Sequence, residues 1–388
     1  MNFWEKLTPY SVKQALFTHD QFGSQVLFPK SEEELKDVDV ALLGVEEYRG
    51  RGNQKRLASH AMERIRQKIY SLQKSTAPIQ VADLGNLEIG EELSDTYQSL
   101  TTVCEELFKR NIFPIIIGGS QDLTLPLSKS LMHSLDASIS ILGIDNSLNG
   151  NKDDVLNKSF LNHILDWEGE EYIDYHHIGY QRYITQLEMM EKVRARQGEL
   201  LSIGMFRDEK EEVEPLIRSC EFISFDLSAI KKMEGGASPY SNLFGFKAEE
   251  ACQLCWYAGM SDKLKMMGFF EYDQAFDIND TGIDALAVMT WYLIEGLAHR
   301  KIEPSFSSSR HKQFLVPVDS SSDHMLIFYQ SMTSGKWWME VKDEDDLSEA
   351  GKCRKSIVPC SHKDYSMAVN GKLPPRWLRA VQRLKASK

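Results

Sequence analysis

Two aspartates, each among amides and hydroxyls, stand where apolar runs of this chain end. Ile115-Ile116-Ile117-Gly118-Gly119-Ser120-Gln121-Asp122 reads as a buried strand that enters a Gly-Gly turn and then a helix. Ile144-Asp145-Asn146-Ser147-Leu148-Asn149 and Ile223-Ser224-Phe225-Asp226-Leu227-Ser228 each meet an aspartate followed by small polar residues. Amide and hydroxyl oxygens can join a Ca2+ or Mg2+ shell, but they bring no charge. Gln, Asn and Ser can also satisfy two lone carboxylates by hydrogen bonds alone. Cys252 and Cys255 form a Cys-x-x-Cys, yet Cys353 and Cys360 are poorly spaced for a second zinc pair, so packed thiols are expected. His176 and His177 are neighbours on an expected strand and point to opposite faces, so they do not share one metal. No Gly-x-Gly-x-x-Gly or phosphate loop is present, and Ser224 has no nucleophile elbow around it.

The elements that must position these residues alternate. Short apolar runs predict strands at 38–45, 79–84, 112–117, 138–144, 172–178, 200–205, 222–227 and 265–270. Helical periodicity predicts helices at 57–72, 93–109, 123–135, 184–197, 209–219, 247–258 and 283–299. Such alternation implies a mainly parallel sheet with helices on both faces, a three-layer α/β/α sandwich. In these sheets ligands bind beyond the carboxyl ends of the strands, where every segment above lies.

Residues 1–36 read as a polar lead-in with short helices, 37–303 as the α/β domain and 304–388 as a C-terminal extension. In the extension, Met325–Tyr329 and Trp337–Val341 are expected to pair as antiparallel strands across a Ser334-Gly335 turn. Residues 343–346 read as a solvated acidic loop. Arg376 to Lys385 reads as a basic amphipathic helix with Trp377, Leu378, Val381 and Leu384 on one face. That face is expected to dock on the sandwich or a neighbouring subunit, or alternatively to recruit a partner protein.

Bulk properties bound the function. The chain has 388 residues, 42% of them hydrophobic and 26% charged, as in ordinary globular proteins. A net charge of -12 argues against a general nucleic-acid or anionic-membrane binder. No apolar run reaches the roughly 20 residues a membrane span needs. The first residues lack the layout of a signal peptide. Six cysteines in such a length make no disulfide framework, so a reduced cytoplasmic protein is expected.

The three segments, in order, resemble the signatures of the ureohydrolase family of arginases, agmatinases and formimidoylglutamases: Gly-Gly-Asp-His-Ser, Asp-Ala-His-x-Asp and Ser-Phe-Asp-x-Asp. Weaker matches join them over about residues 38–300. Asp83-Leu84-Gly85-Asn86 resembles an early Asp-x-Gly strand end, and His177-Ile178-Gly179-Tyr180-Gln181 resembles Ile-Gly-Ile-Arg with Gln181 for Arg. Leu243-Phe244-Gly245-Phe246 with Glu249-Glu250-Ala251 resembles a Gly-Leu-Thr…Glu-Ala helix start. Phe270-Glu271-Tyr272-Asp273-Gln274-Ala275-Phe276-Asp277 resembles Glu-Val-Asn-Pro-x-x-Asp. The whole most resembles formimidoylglutamase-like proteins of the Bacteroidetes type, which share Trp-Trp and Val-Pro-Cys elements like Trp337-Trp338 and Val358-Pro359-Cys360.

The resemblance implies an arginase-like fold and six ligand positions for two Mn2+ ions, whose bridging hydroxide attacks an amidine or guanidinium carbon. Those positions hold Gln121, Asp145, Ser147, Asn149, Asp226 and Ser228 here, so only two carboxylates remain. Two carboxylates do not offset two divalent cations in a partly buried cleft. The expectation is therefore no cofactor, with Mn2+ only if an altered site survives. The resemblance also gives Glu271 the role of holding a guanidinium, implies a homo-oligomer, and puts His163 near a proton-shuttle position. Without a hydroxide to serve, His163 is expected to be a satisfied, half-buried side chain instead. Three functions follow. The first is a non-catalytic binding, scaffold or regulatory protein. The second is a C–N hydrolase of a linear amidine. The third is a metal-free sensor that binds a small amine or guanidinium through Asp145, Asp226 and Glu271.

Overall fold

The computed structural model describes residues 3–10, 17–52, 61–151, 155–167, 169, 171–317, 325–347 and 353–386. Its strands are β1 (Leu7–Thr8), β2 (Val40–Gly44), β3 (Val81–Leu87), β4 (Phe113–Ile117), β5 (Ile139–Ile144), β6 (Ile173–Tyr180), β7 (Leu200–Ser202), β8 (Phe222–Asp226) and β9 (Met266–Phe270). They form one sheet in the order β1-β3-β2-β4-β9-β8-β5-β6-β7. The pairings are parallel except β1 with β3, so the lead-in contributes an antiparallel edge strand.

Helices cover both faces: α1 (Ala61–Ser71), α2 (Leu93–Lys109), α3 (Thr124–Leu135), α4 (Leu156–Leu165), α5 (Leu187–Ala195), α6 (Ile203–Asp208), α7 (Val213–Arg218), α8 (Ala248–Gly259) and α9 (Thr281–Ala298). Strand side chains alternate between two cores. Leu42, Ile115, Ile117, Ile223, Phe225 and Met267 join the core of α1, α8 and α9. Leu43, Ile116, Ile141, Phe222 and Phe270 join the core of α2, α3 and α4. Burial on both faces is why the strands read as unbroken apolar runs rather than alternating ones.

Register positions the site. Ile117 pairs with Phe269, Phe269 with Phe225, and Phe225 with Ile144. The carboxyl ends of β4, β9, β8 and β5 are therefore level. Asp145 and Asp226 directly follow Ile144 and Phe225, and Glu271 follows Phe270, so all three leave the sheet at one edge. At that edge Gly118 and Gly119 turn the chain with φ of 99° and 78°. A Cβ on Gly118 would fall 2.8 Å from the carbonyl oxygen of Val45, so the turn needs glycine.

The extension forms a second, antiparallel sheet: β10 (His311–Pro317), β11 (Met325–Ser331), β12 (Trp337–Leu347) and β13 (Cys353–Cys360), followed by α10 (His362–Val369) and α11 (Pro375–Ala386). The expected hairpin is present, with Tyr329 opposite Trp338. Three readings need correction. Residues 200–205 are not one strand: β7 stops at Ser202, whose hydroxyl accepts from the Met205 amide and starts α6. Residues 343–346 are not a loop, because β12 runs through them, paired with β13 at Asp343 and Leu347 on either side of an irregularity, and Asp343 is buried. On α11 the buried positions are Arg376 and Ala380, while Leu378 is exposed. Of the expected face Trp377 packs against the core of the extension's own sheet and donates to the Glu340 carbonyl, while Arg376 extends the docked side of the helix to acidic partners.

Candidate functional site

Hydrogen bonds join all six of the singled-out positions. Asp145 Oδ1 accepts from the Asn146 amide (2.5 Å) and from Ser228 Oγ (2.8 Å). Its Oδ2 accepts from Asn149 Nδ2 at 2.6 Å. Asp226 Oδ1 accepts from the Ser228 amide at 2.7 Å. Gln121, with its amide nitrogen turned toward the carboxylates, donates to Asp145 Oδ2 and Asp226 Oδ2, each at 3.2 Å. Ser147 Oγ donates to Asn149 Oδ1 at 3.2 Å. Asp145, Asp226, Ser228 and Gln121 are all buried. Both oxygens of Asp145 and Oδ1 of Asp226 thus have donors from the chain itself. With the Gln121 nitrogen inward Asp226 Oδ2 gains one too, whereas with the Gln121 oxygen inward that oxygen accepts from Asn149 Nδ2 at 3.2 Å.

Electrostatics follow from burial. Loss of water pushes the Asp145 carboxyl up, against the pull of Lys158 and the bond from Ser228. Asp226 is pushed well above the ordinary range, first by burial and then by the charges of Asp145 and Glu271. Lys158 is the nearby cation. Its Nζ lies 3.4 Å from Asn149 Oδ1 and 3.5 Å from the centre of the Tyr240 ring. Among the described residues, no group of three or more His, Cys, Asp or Glu stands where a metal ion could sit. The donor set does not fit a pair of manganese ions: it offers two carboxylates, both already satisfied, beside neutral amides and hydroxyls.

Glu271 leaves β9 in a left-handed conformation, φ 67°, and is fully buried. Its Oε1 accepts from the Gln121 amide (2.7 Å) and from Asn157 Nδ2 (3.2 Å). Its Oε2 accepts from Arg51 Nε at 2.7 Å. Glu271 and the two aspartates therefore belong to one connected site. His163 does not: it faces solvent on α4, in contrast to the half-buried setting expected of it.

His176 and His177 do point to opposite faces. His177 Nε2 lies 3.2 Å from the Asp145 carbonyl, with Tyr175 Oη at its other nitrogen, and burial lowers it to about 4. His176 accepts from the Glu199 amide and meets Arg383, and burial lowers it to about 3. Cys252 and Cys255 are buried thiols on α8, pushed up by burial, Cys252 to about 11.

The sequence reading missed Arg51, Asn157, Lys158 and Tyr240. Arg51 follows β2, another carboxyl strand end, so the rule that ligands gather there could have found it. Asn157 and Lys158 lie on α4, whose short amphipathic run between two strands was not assigned.

Residues 38–294, well over half of the chain, match the profile of the arginase family. This chain belongs to the arginase family. Its fold is similar to that of a formiminoglutamase from Trypanosoma cruzi solved with Mn2+, with a TM-score of 0.64 at 18% identity, covering 73% of this chain and 100% of that one. A formimidoylglutamase from Bacillus subtilis gives 0.64 at 17% identity, covering 76% of this chain and 96% of that one. An agmatine ureohydrolase from Thermoplasma volcanium gives 0.57 at 17% identity, covering 73% and 96%. No curated protein matches the chain. The α/β sandwich is thus the arginase fold, with an extra antiparallel sheet C-terminal to the matched region. Among the described residues, no helix is long and apolar enough to cross a membrane.

Proposed function

We propose that this arginase-family chain lacks the dinuclear manganese centre and acts as a non-catalytic binding, scaffold or regulatory protein. One observation carries the reading. Both oxygens of Asp145 and Oδ1 of Asp226 already accept hydrogen bonds from the chain, Gln121 turned with its nitrogen inward supplies a donor to Asp226 Oδ2, and the other four positions hold neutral Gln121, Ser147, Asn149 and Ser228. Stripping these bonds to admit cations would leave amide and hydroxyl donors unsatisfied and supply too little negative charge.

The extension suits a partner-facing role. Leu315, Met332, Val369 and Leu378 are exposed on it. Assembly into a homo-oligomer belongs to the same proposal. Cys104, Cys220, Cys252, Cys255 and Cys360 are free and buried, which fits a reducing compartment such as the cytoplasm.

The test is hydrolysis. With Mn2+ supplied, the purified chain is expected to release no urea, ammonia or formamide from arginine, agmatine or formimidoylglutamate. Metal-dependent turnover of any of them would replace this reading with that of an amidine hydrolase.

A further inference from the structure

A guanidinium group already stands beside Glu271, and it comes from the chain itself. Arg51 Nε donates to Glu271 Oε2 at 2.7 Å and its Nη1 donates to Asp273 Oδ2 at 3.2 Å. The guanidinium also lies 4.8 Å from the centre of the Tyr48 ring. The Arg51 side chain is 2% exposed and that of Glu271 0%. Two carboxylates and an aromatic face are the groups that recognise a planar cation. The fork is not fully matched, because Arg51 Nη2 is buried without a partner, as is the nearby Asn157 Oδ1. A pair evolved only for stability tends to satisfy such groups.

The turn that presents Arg51 is fixed independently. Arg49 binds Glu47 and the carbonyl oxygens of Gly90 and Glu92. Gly50 lets the backbone pass Asp122, since a Cβ there would fall 1.9 Å from Asp122 Oδ1. The backbone can therefore stay in place when the Arg51 side chain is cut away.

We propose that Glu271 and Asp273 form a guanidinium-binding site that Arg51 fills in cis, and that the site takes a free alkylguanidinium only when this side chain is absent. The wild-type chain is then no sensor of free guanidines at this position. The inference rests on the non-hydrolytic reading only in that no guanidine substrate competes for Glu271.

Chemical rescue tests it on the full chain. Arg51→Gly is expected to lower the melting temperature, and millimolar methylguanidinium to raise it again in a saturable way. Tetramethylammonium at equal ionic strength should not do so. Titration calorimetry should give binding at least about tenfold tighter to Arg51→Gly than to wild type, a gap of about 1.4 kcal/mol. Adding Glu271→Gln to that variant should abolish the rescue. If Arg51→Gly does not accumulate as folded protein, refolding yields with methylguanidinium and with tetramethylammonium take the place of melting, and a higher yield with methylguanidinium is expected. Equal effects of the two cations, or equal methylguanidinium binding by wild type and Arg51→Gly, would overturn the proposal. Manganese-dependent turnover would sink the non-hydrolytic reading while leaving the rescue result standing, so the two failures are distinguishable.

Discussion

Asp226 carries the electrostatic cost of the cluster. Burial raises its carboxyl well above the ordinary range, and Asp145 and Glu271 add repulsion. A carboxyl raised on folding contributes most stability when protonated, below its unfolded value near about 4, and loses that contribution as pH rises through the folded value. At neutral pH Asp226 is therefore a net burden. Asp226→Asn is expected to raise the melting temperature at pH 7 to 8, because the amide keeps an oxygen for the Ser228 amide and Gln121 can turn its own oxygen to meet the new donor. The gain should shrink toward pH 4, and scanning calorimetry across that range checks it. A large loss at pH 7 would mean that the charge of Asp226 is needed, as a metal ligand would require. At this scale the sequence exposed Asp145, Asp226 and Glu271 because each directly ends an apolar strand. It hid Arg51, whose role depends on a contact 220 residues away.

The arginine-rich face of α11 joins the extension to the sandwich. Arg376 meets Asp364 at 2.6 Å, Glu212 at 3.1 Å and Glu199 at 3.5 Å, while Arg379 meets Glu199 at 2.8 Å. Burial alone would raise Glu199, but these guanidinium groups hold it down at about 2. Removing one partner from a buried ion-pair network costs about 3–5 kcal/mol, so Arg376→Ala should destabilise by that order in a denaturant melt. The sign with pH is opposite to that of Asp226. A depressed carboxyl stabilises above its usual value of 4.5 and loses that contribution as pH falls toward 2. His176, lowered to about 3, adds to the same loss from its usual 6.5 downward. Acid titration of the tryptophan signal should therefore show wild type losing its structure at lower pH than Arg376→Ala. Equal midpoints would mean that the network does not hold the extension. Most elements of the sandwich were legible because both sheet faces are covered and the central strands β2, β4, β5 and β9 are mostly apolar runs. The extension was less so. Its strand β10 mixes exposed Lys312 and Gln313 with buried Val316, and α11 docks through Arg376 as well as through Trp377 of its apolar stripe.

The whole molecule pairs an arginase sandwich, whose sheet edge is closed by its own hydrogen bonds, with an antiparallel extension clamped to the opposite end. Asp174 and Glu221, near the amino ends of β6 and β8, line the same crevice as Arg354, Arg376 and Arg383 of the extension. The polar cluster lies beyond the carboxyl ends, so a partner held by the extension would not need the cluster. The architecture was legible from the order of the strand ends, whereas the internal filling of the Glu271 site was not, because no local pattern marks which loop returns to it. The most direct measurement is elemental analysis of the purified chain before and after Mn2+ loading and desalting. The account predicts near-zero manganese in both samples. About two manganese ions per chain, as a dinuclear centre demands, would contradict it.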